Sequence, residues 1–173
     1  MNDHNAELVT WSSTFACGIK PIDDQHRELI NLVNDMFNHV TGNEYEEHEY
    51  LNKIIQKTVR YVKVHFATEE KIMTLARFSG YAEHKKAHDE FVVMVIDSFY
   101  DVACHKKINL YAFTKFLKDW ILSHIAVMDK QYFEYFRKIA TRKANGRMSV
   151  TPADVQTAPA LKMAGGNHIS AAV

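Results

Sequence analysis

His65 and Glu69 stand four residues apart, and so do His84 and His88. On a helix that interval is about 40° of rotation beyond a full turn and about 6 Å of rise, so both members of a pair point the same way. An imidazole and a carboxylate, or two imidazoles, presented side by side can grip a metal ion. The segment around the first pair, VHFATEEKIM, mixes this charge with Val64, Phe66, Ile72 and Met73, which read as a buried face. His26 in IDDQHRELINL, and His124 with Asp129 in WILSHIAVMD, repeat the mixture. Any one piece alone fits an exposed pair or a helix-surface histidine. Their joint occurrence, flanked each time by core-type residues, points to a shared metal site.

Ligand type narrows the metal. The two cysteines, Cys17 and Cys104, are not clustered, which argues against thiolate zinc and iron–sulfur. Five imidazoles and two carboxylates exceed what one tetrahedral zinc takes. They suit two octahedral ions sharing bridging carboxylates, and imidazole suits iron. The duplicated Glu-x-x-His of ferritin-like sites is missing, since EEHE at 46–49 places Glu and His too close together. Neutral imidazoles favour ferric iron less than carboxylates do, so such a site should let reduced iron persist and release oxygen again. Glu70 is a rival to Glu69, but the four-residue register prefers Glu69. His124 and Asp129 are five apart, about 140° around an ideal helix, which predicts a widened π-type turn or a long reach by one side chain.

The elements that must position these residues are helices. Before residue 145 only Gly18, Pro21, Gly42 and Gly80 punctuate the chain. Between them apolar residues recur at three and four. One run passes from Ile22 to Val40, with Pro21 in the first turn and TGN as its stop; a second covers about 44–75. A third goes from Tyr81 to about Cys104, and a fourth from about Ile108 towards Ile139. The expected fold is all-α, an antiparallel up-down-up-down four-helix bundle over residues 1–143. Residues 1–20 form an N-terminal arm packed by Trp11 and Phe15. Residues 144–173 lack aromatic side chains and are rich in Ala, Gly, Pro, Ser and Thr, so they read as a flexible tail.

Lys plus Arg and Asp plus Glu both number 21, so zero net charge gives no pull towards nucleic acid or an anionic membrane. No apolar run is long enough to span a bilayer, and the N-terminus lacks a signal-peptide pattern. With the cysteine usage, this predicts a cytoplasmic protein. His4, His39, His48, His105 and His168 lack partners at ligand spacing and read as surface residues.

The chain resembles the hemerythrins, and within them the single-domain bacterial hemerythrins, over roughly residues 9–135. The resemblance rests on Trp11, GIKPIDDQHRELINLVN at 18–34, HFATEE at 65–70, GYAEHKKAHDEF at 80–91 and WILSHIAVMD at 120–129. It implies an oxo- or hydroxo-bridged non-haem di-iron centre with two iron ions per chain. His84, His88 and His124 would saturate one iron, His26 and His65 would hold the other with one open position, and Glu69 and Asp129 would bridge. Phe66, Trp120, Ile121 and Ile125 match positions that wall the oxygen pocket, although plain core packing explains each equally well. The implied function is reversible binding of molecular oxygen, for storage or delivery to an oxygen-consuming client enzyme, without catalysis. An oxygen- or iron-responsive sensor module and a di-iron peroxidase or oxidase are the alternatives. The oligomeric state is left open, with a monomer the simpler expectation.

Overall fold

The structure, a computed structural model, describes residues 6–104, 106 and 109–144. Its elements are α1 (Lys20–Asn38), α2 (Glu44–Leu75), α3 (Tyr81–Ala103), α4 (Leu110–Ser123), a π turn (His124–Asp129) and α5 (Lys130–Ala144). The last three run on without a break as one rod, so the bundle has four rods, and the described residues contain no strand. α2 packs on α1 and α3, and α1 packs on α4. This is the four-helix bundle that the apolar spacing predicts. α1 begins two residues before Ile22 and carries Pro21 in its first turn, where a missing N–H costs nothing. The expected tail lies outside the described residues from 145 onward, as do His4, His105 and His168.

Local chemistry fixes the helix ends. Asn43 caps α2, its Oδ1 accepting from the backbone N–H of Tyr45 at 3.2 Å and of Glu46 at 3.4 Å. Glu47 reaches back so that its Oε1 accepts from the N–H groups of Thr41 (2.9 Å) and Gly42 (2.8 Å). Gly42 has a φ of +79°, a conformation L side chains rarely adopt. At the other end of α2, Phe78 N donates to Met73 O at 2.9 Å and Arg77 takes φ 53°. That is the left-handed position usually given to glycine, and it costs a side-chain-bearing residue about 1 kcal/mol. Asn109 caps α4 through Ala112 N at 2.8 Å.

The arm lies along α1. Asn34 exchanges two hydrogen bonds with the Val9 backbone, at 2.9 and 2.8 Å. The Arg27 guanidinium sits 4.2 Å over the Trp11 ring. Ser13–Phe15 form a single 3₁₀ turn, and Trp11 and Phe15 pack against the main core as expected. Asp23 then ties the arm down, its two oxygens accepting from Cys17 N (2.7 Å) and Gly18 N (3.2 Å).

The core falls into two clusters. The larger contains Leu29, Ile30, Val62, Phe66, Phe91, Leu117, Ile121 and Ile125; the smaller contains Ile22, Ile72, Met73, Tyr132 and Phe133. Read along any of three rods, the division falls at a polar residue. It is His26 between Ile22 and Leu29, Glu69 between Phe66 and Ile72, and Asp129 between Ile125 and Tyr132. A buried polar layer therefore separates two apolar ones. No helix among the described residues is long and apolar enough to cross a membrane.

Candidate metal centre

All seven sequence-predicted ligand residues meet in this layer. His26, His65, Glu69, His84, His88, His124 and Asp129 are at most 4 % exposed. α1 supplies His26, α2 supplies His65 and Glu69, α3 supplies His84 and His88, and the π turn supplies both His124 and Asp129. The π turn resolves the awkward five-residue interval. Widening the helix by one residue per turn brings side chains five apart onto one side, so both reach inward.

Two overlapping sets result, each with ligating atoms within 4.8 Å of one another: Glu69, His84, His88 and His124, and His26, His65, Glu69 and Asp129. The carboxylate oxygens divide between them. Glu69 Oε1 lies 3.7 Å from His26 Nε2 and 3.6 Å from His65 Nε2, while Oε2 lies 3.6 Å from His84 Nε2 and 3.2 Å from His88 Nε2. Asp129 Oδ1 faces His84 (3.3 Å) and His124 (3.1 Å), and Oδ2 faces His26 at 3.4 Å. Glu70, the rival, points away from the layer with its side chain 21 % exposed.

The residues fit metal ions. His26 Nε2, Glu69 Oε2 and both Asp129 oxygens are buried without a hydrogen-bond partner among the described residues. Leaving a buried polar atom unsatisfied costs about 1–3 kcal/mol, more when it is charged, and a cation among these atoms would satisfy them together. The imidazole spacing is informative too. His124 Nε2 lies 3.0 Å from His88 Nε2 and 3.1 Å from His84 Nε2. At a metal–nitrogen distance of about 2.1 Å, ligands at right angles lie about 3.0 Å apart and tetrahedral ones about 3.4 Å. Both distances therefore suit neighbouring positions of an octahedron better than those of a tetrahedron.

Groups behind the imidazoles hold their orientation. His26 Nδ1–H donates to Phe15 O at 3.2 Å, and His88 Nδ1–H to Glu70 Oε1 at 3.3 Å. His65 sits at the end of a relay. Thr68 O–H donates to Val64 O at 2.8 Å, which leaves its oxygen to accept from Gln25 Nε2 at 3.4 Å. That fixes the Gln25 amide so that its Oε1 accepts from His65 Nδ1–H at 3.1 Å. With Nδ1 donating outward, Nε2 is the nitrogen that each of the three turns to the centre. Tyr132 donates its O–H to Glu69 Oε1 at 2.8 Å.

Without metal the imidazoles and carboxylates of the layer shift one another. For His26 burial favours the neutral imidazole, but the Asp129 and Glu69 carboxylates outweigh it and lift the group to about 9. For His84 burial likewise opposes protonation, and Asp129 and Glu69 prevail, again raising it to about 9. Burial dominates at His65, which is pushed down to about 4 despite Glu69. Burial would raise Glu69 and Asp129, yet the imidazoles around them hold both below the usual carboxylate range.

Aromatic rings wall one side. Phe66 stacks on His88 with centroids 3.7 Å apart and lies 5.7 Å from His65. Trp120 stacks on His124 at 4.4 Å and on Phe91 at 3.8 Å. Ile121 and Ile125 are each 2 % exposed in the larger core cluster. Sequence reasoning missed Tyr132, Gln25 and the Phe15 carbonyl. Tyr132 carried a usable signal, lying three residues beyond Asp129 on the same face; Gln25 and Phe15 carried none.

The chain is similar to proteins already known. A family profile described as "Hemerythrin HHE cation binding domain" matches residues 17–136. A bacteriohemerythrin of Methylococcus capsulatus (strain Bath) is 32% identical over 130 residues, covering 72% of this chain and 94% of that protein. One from Pseudomonas aeruginosa (strain PAO1) is 31% identical over 133 residues, covering 76% and 83%. A hemerythrin of Themiste dyscrita is 27% identical over 122 residues, covering 70% and 88%. A crystal structure of a wild-type hemerythrin superposes with a TM-score of 0.65 at 30% identity, covering 73% of this chain and 96% of that one.

Proposed function

The chain belongs to the hemerythrin family, and from that premise we propose that it binds molecular oxygen reversibly at a non-haem di-iron centre. The ligands are His84, His88 and His124 on one side and His26 and His65 on the other, with Glu69 and Asp129 shared. One observation carries the reading: each of the two carboxylates turns one oxygen to each histidine set, the arrangement a pair of ions needs and a single ion does not. When bound, a pair of iron ions supplies the two electrons that reversible oxygen binding draws on.

The protein's own groups do the rest. Five neutral imidazoles against two carboxylates keep the ligand set low in negative charge, which disfavours permanent oxidation. Tyr132 holds Glu69 in place from behind. Phe66, Trp120, Ile121 and Ile125 form the apolar wall; excluding water there opposes the escape of charged, reduced oxygen species. The role is oxygen storage or delivery to an oxygen-consuming enzyme, by a monomer in the cytoplasm, where the two free thiols Cys17 and Cys104 stay reduced.

The test is spectroscopic. Iron-loaded protein is reduced without air, exposed to oxygen, then degassed, through repeated cycles. Colour that appears and fades each time supports the carrier reading. Irreversible oxidation overturns it, and sustained consumption of added reductant transfers the protein to the oxidase or peroxidase class.

A further inference from the structure

The imidazoles are backed unequally. His65 meets the neutral amide oxygen of Gln25 at 3.1 Å, and His26 meets the Phe15 backbone carbonyl at 3.2 Å. His124 Nδ1 is buried without a hydrogen-bond partner among the described residues. His88 meets a carboxylate, Glu70 Oε1, at 3.3 Å. Glu70 also lies 3.9 Å from Lys85, but that lysine is 39 % exposed and holds Asp89 more closely, at 2.7 Å. A solvated pair of this kind is weak and leaves most of the carboxylate charge to act on His88.

We infer that Glu70 is a positioning residue that makes the His84–His88–His124 half of the centre hold its metal ion more tightly than the His26–His65 half. The inference rests on the two-metal reading above. A carboxylate can only accept, so it locks His88 with its proton on Nδ1 and its lone pair on Nε2, towards the layer. Its charge also draws on that proton and raises electron density at Nε2, which strengthens the metal bond. Gln25 orients His65 equally well but lends no charge. The two halves thus differ in the number of imidazoles and also in the donor strength of one of them. Glu70 and His88 line a cleft of about 300 Å³ between α2 and α3, with Lys63, Ala67 and Val92. A Glu70→Gln side chain therefore fits without disturbing the core.

The full-length, metal-free protein is titrated with cobalt(II) against a competing chelator, and bound cobalt is followed by its visible absorbance. The parent should bind two ions with unequal constants. Glu70→Gln should weaken the tighter constant about tenfold and leave the weaker within about twofold. Gln25→Glu should strengthen the weaker constant about tenfold and so narrow the gap. A purely structural role for Glu70 would lower both constants together, and that result, or no change in either, overturns the inference. Should Glu70→Gln lose its helical circular dichroism, Gln25→Glu decides: an unmoved weaker constant overturns the inference. A parent that binds fewer than two cobalt ions refutes the two-metal centre itself. A parent that binds two while both variants leave the constants unmoved refutes only the role of Glu70.

Discussion

Metal loading should release protons in a number that the layer fixes. In the metal-free protein His26 and His84 are both raised to about 9, so at pH 7 each carries its proton. His65, pushed down to about 4, is already neutral there and contributes nothing. A metal ion binds only the free lone pair, so each raised imidazole must give up one proton. The pair is split between the sets, His26 in one and His84 in the other. Each ion therefore displaces about one proton from this pair, and its apparent affinity rises about tenfold per pH unit between 7 and 8, flattening above about 9. Calorimetry in two buffers of different ionisation enthalpy at pH 7 counts those protons directly. No proton release, with equal affinity at pH 7 and 8, would refute the electrostatic account of the layer. The same shifts govern the metal-free fold. The raised His26 and His84 stabilise it fully below the ordinary histidine value of 6.5, and that contribution is lost as pH rises through about 9. The lowered His65 works the other way: its contribution is present above 6.5 and lost as pH falls through about 4.

Three substitutions test the supports. Tyr132→Phe removes the 2.8 Å donor to Glu69 and should cost about 2 kcal/mol, lowering the metal-free melting temperature by about 5 °C; an unchanged melting curve would mean the bond contributes nothing net. Phe66→Ala empties the ring stacked on His88 and should cost about 3–5 kcal/mol in urea unfolding, with faster irreversible oxidation of the iron-loaded protein; a loss under about 1 kcal/mol contradicts the packing. Asp23→Ala strips the acceptor from Cys17 N and Gly18 N, so limited proteolysis should cut the arm faster while the bundle survives; an arm as resistant as the parent's would show that Trp11 and Asn34 suffice.

The bundle was legible because its apolar residues keep helical spacing and its breaks coincide with Gly42, Gly80 and capping asparagines. The clustering of the candidate ligands was legible because buried histidine is chemically conspicuous on an apolar face, and His65–Glu69 and His84–His88 fall at helical intervals. Even the π turn could be foreseen, since an interval of five from His124 to Asp129 fits no α-helix facing one point. What sequence could not convey is how distant segments meet. The Phe15 carbonyl becomes a partner of His26 because the arm folds back along α1, and a backbone carbonyl has no residue-type signature. Glu70 was weighed only as a rival to Glu69, and its contact with His88 depends on how α2 and α3 lie together. Arg77 in a left-handed conformation was invisible as well, because nothing in its side chain favours that geometry.

The rod that carries the π turn is in effect two helices out of phase. Leu110, Phe113, Leu117 and Ile121 keep one angular setting, and Asp129, Tyr132 and Phe133 keep another, offset by the supernumerary residue between them. A single helical wheel drawn through both halves would misplace one of them. The bulge confines that offset to one turn, so the apolar stripe resumes beyond it without the loops or the neighbouring rods having to compensate.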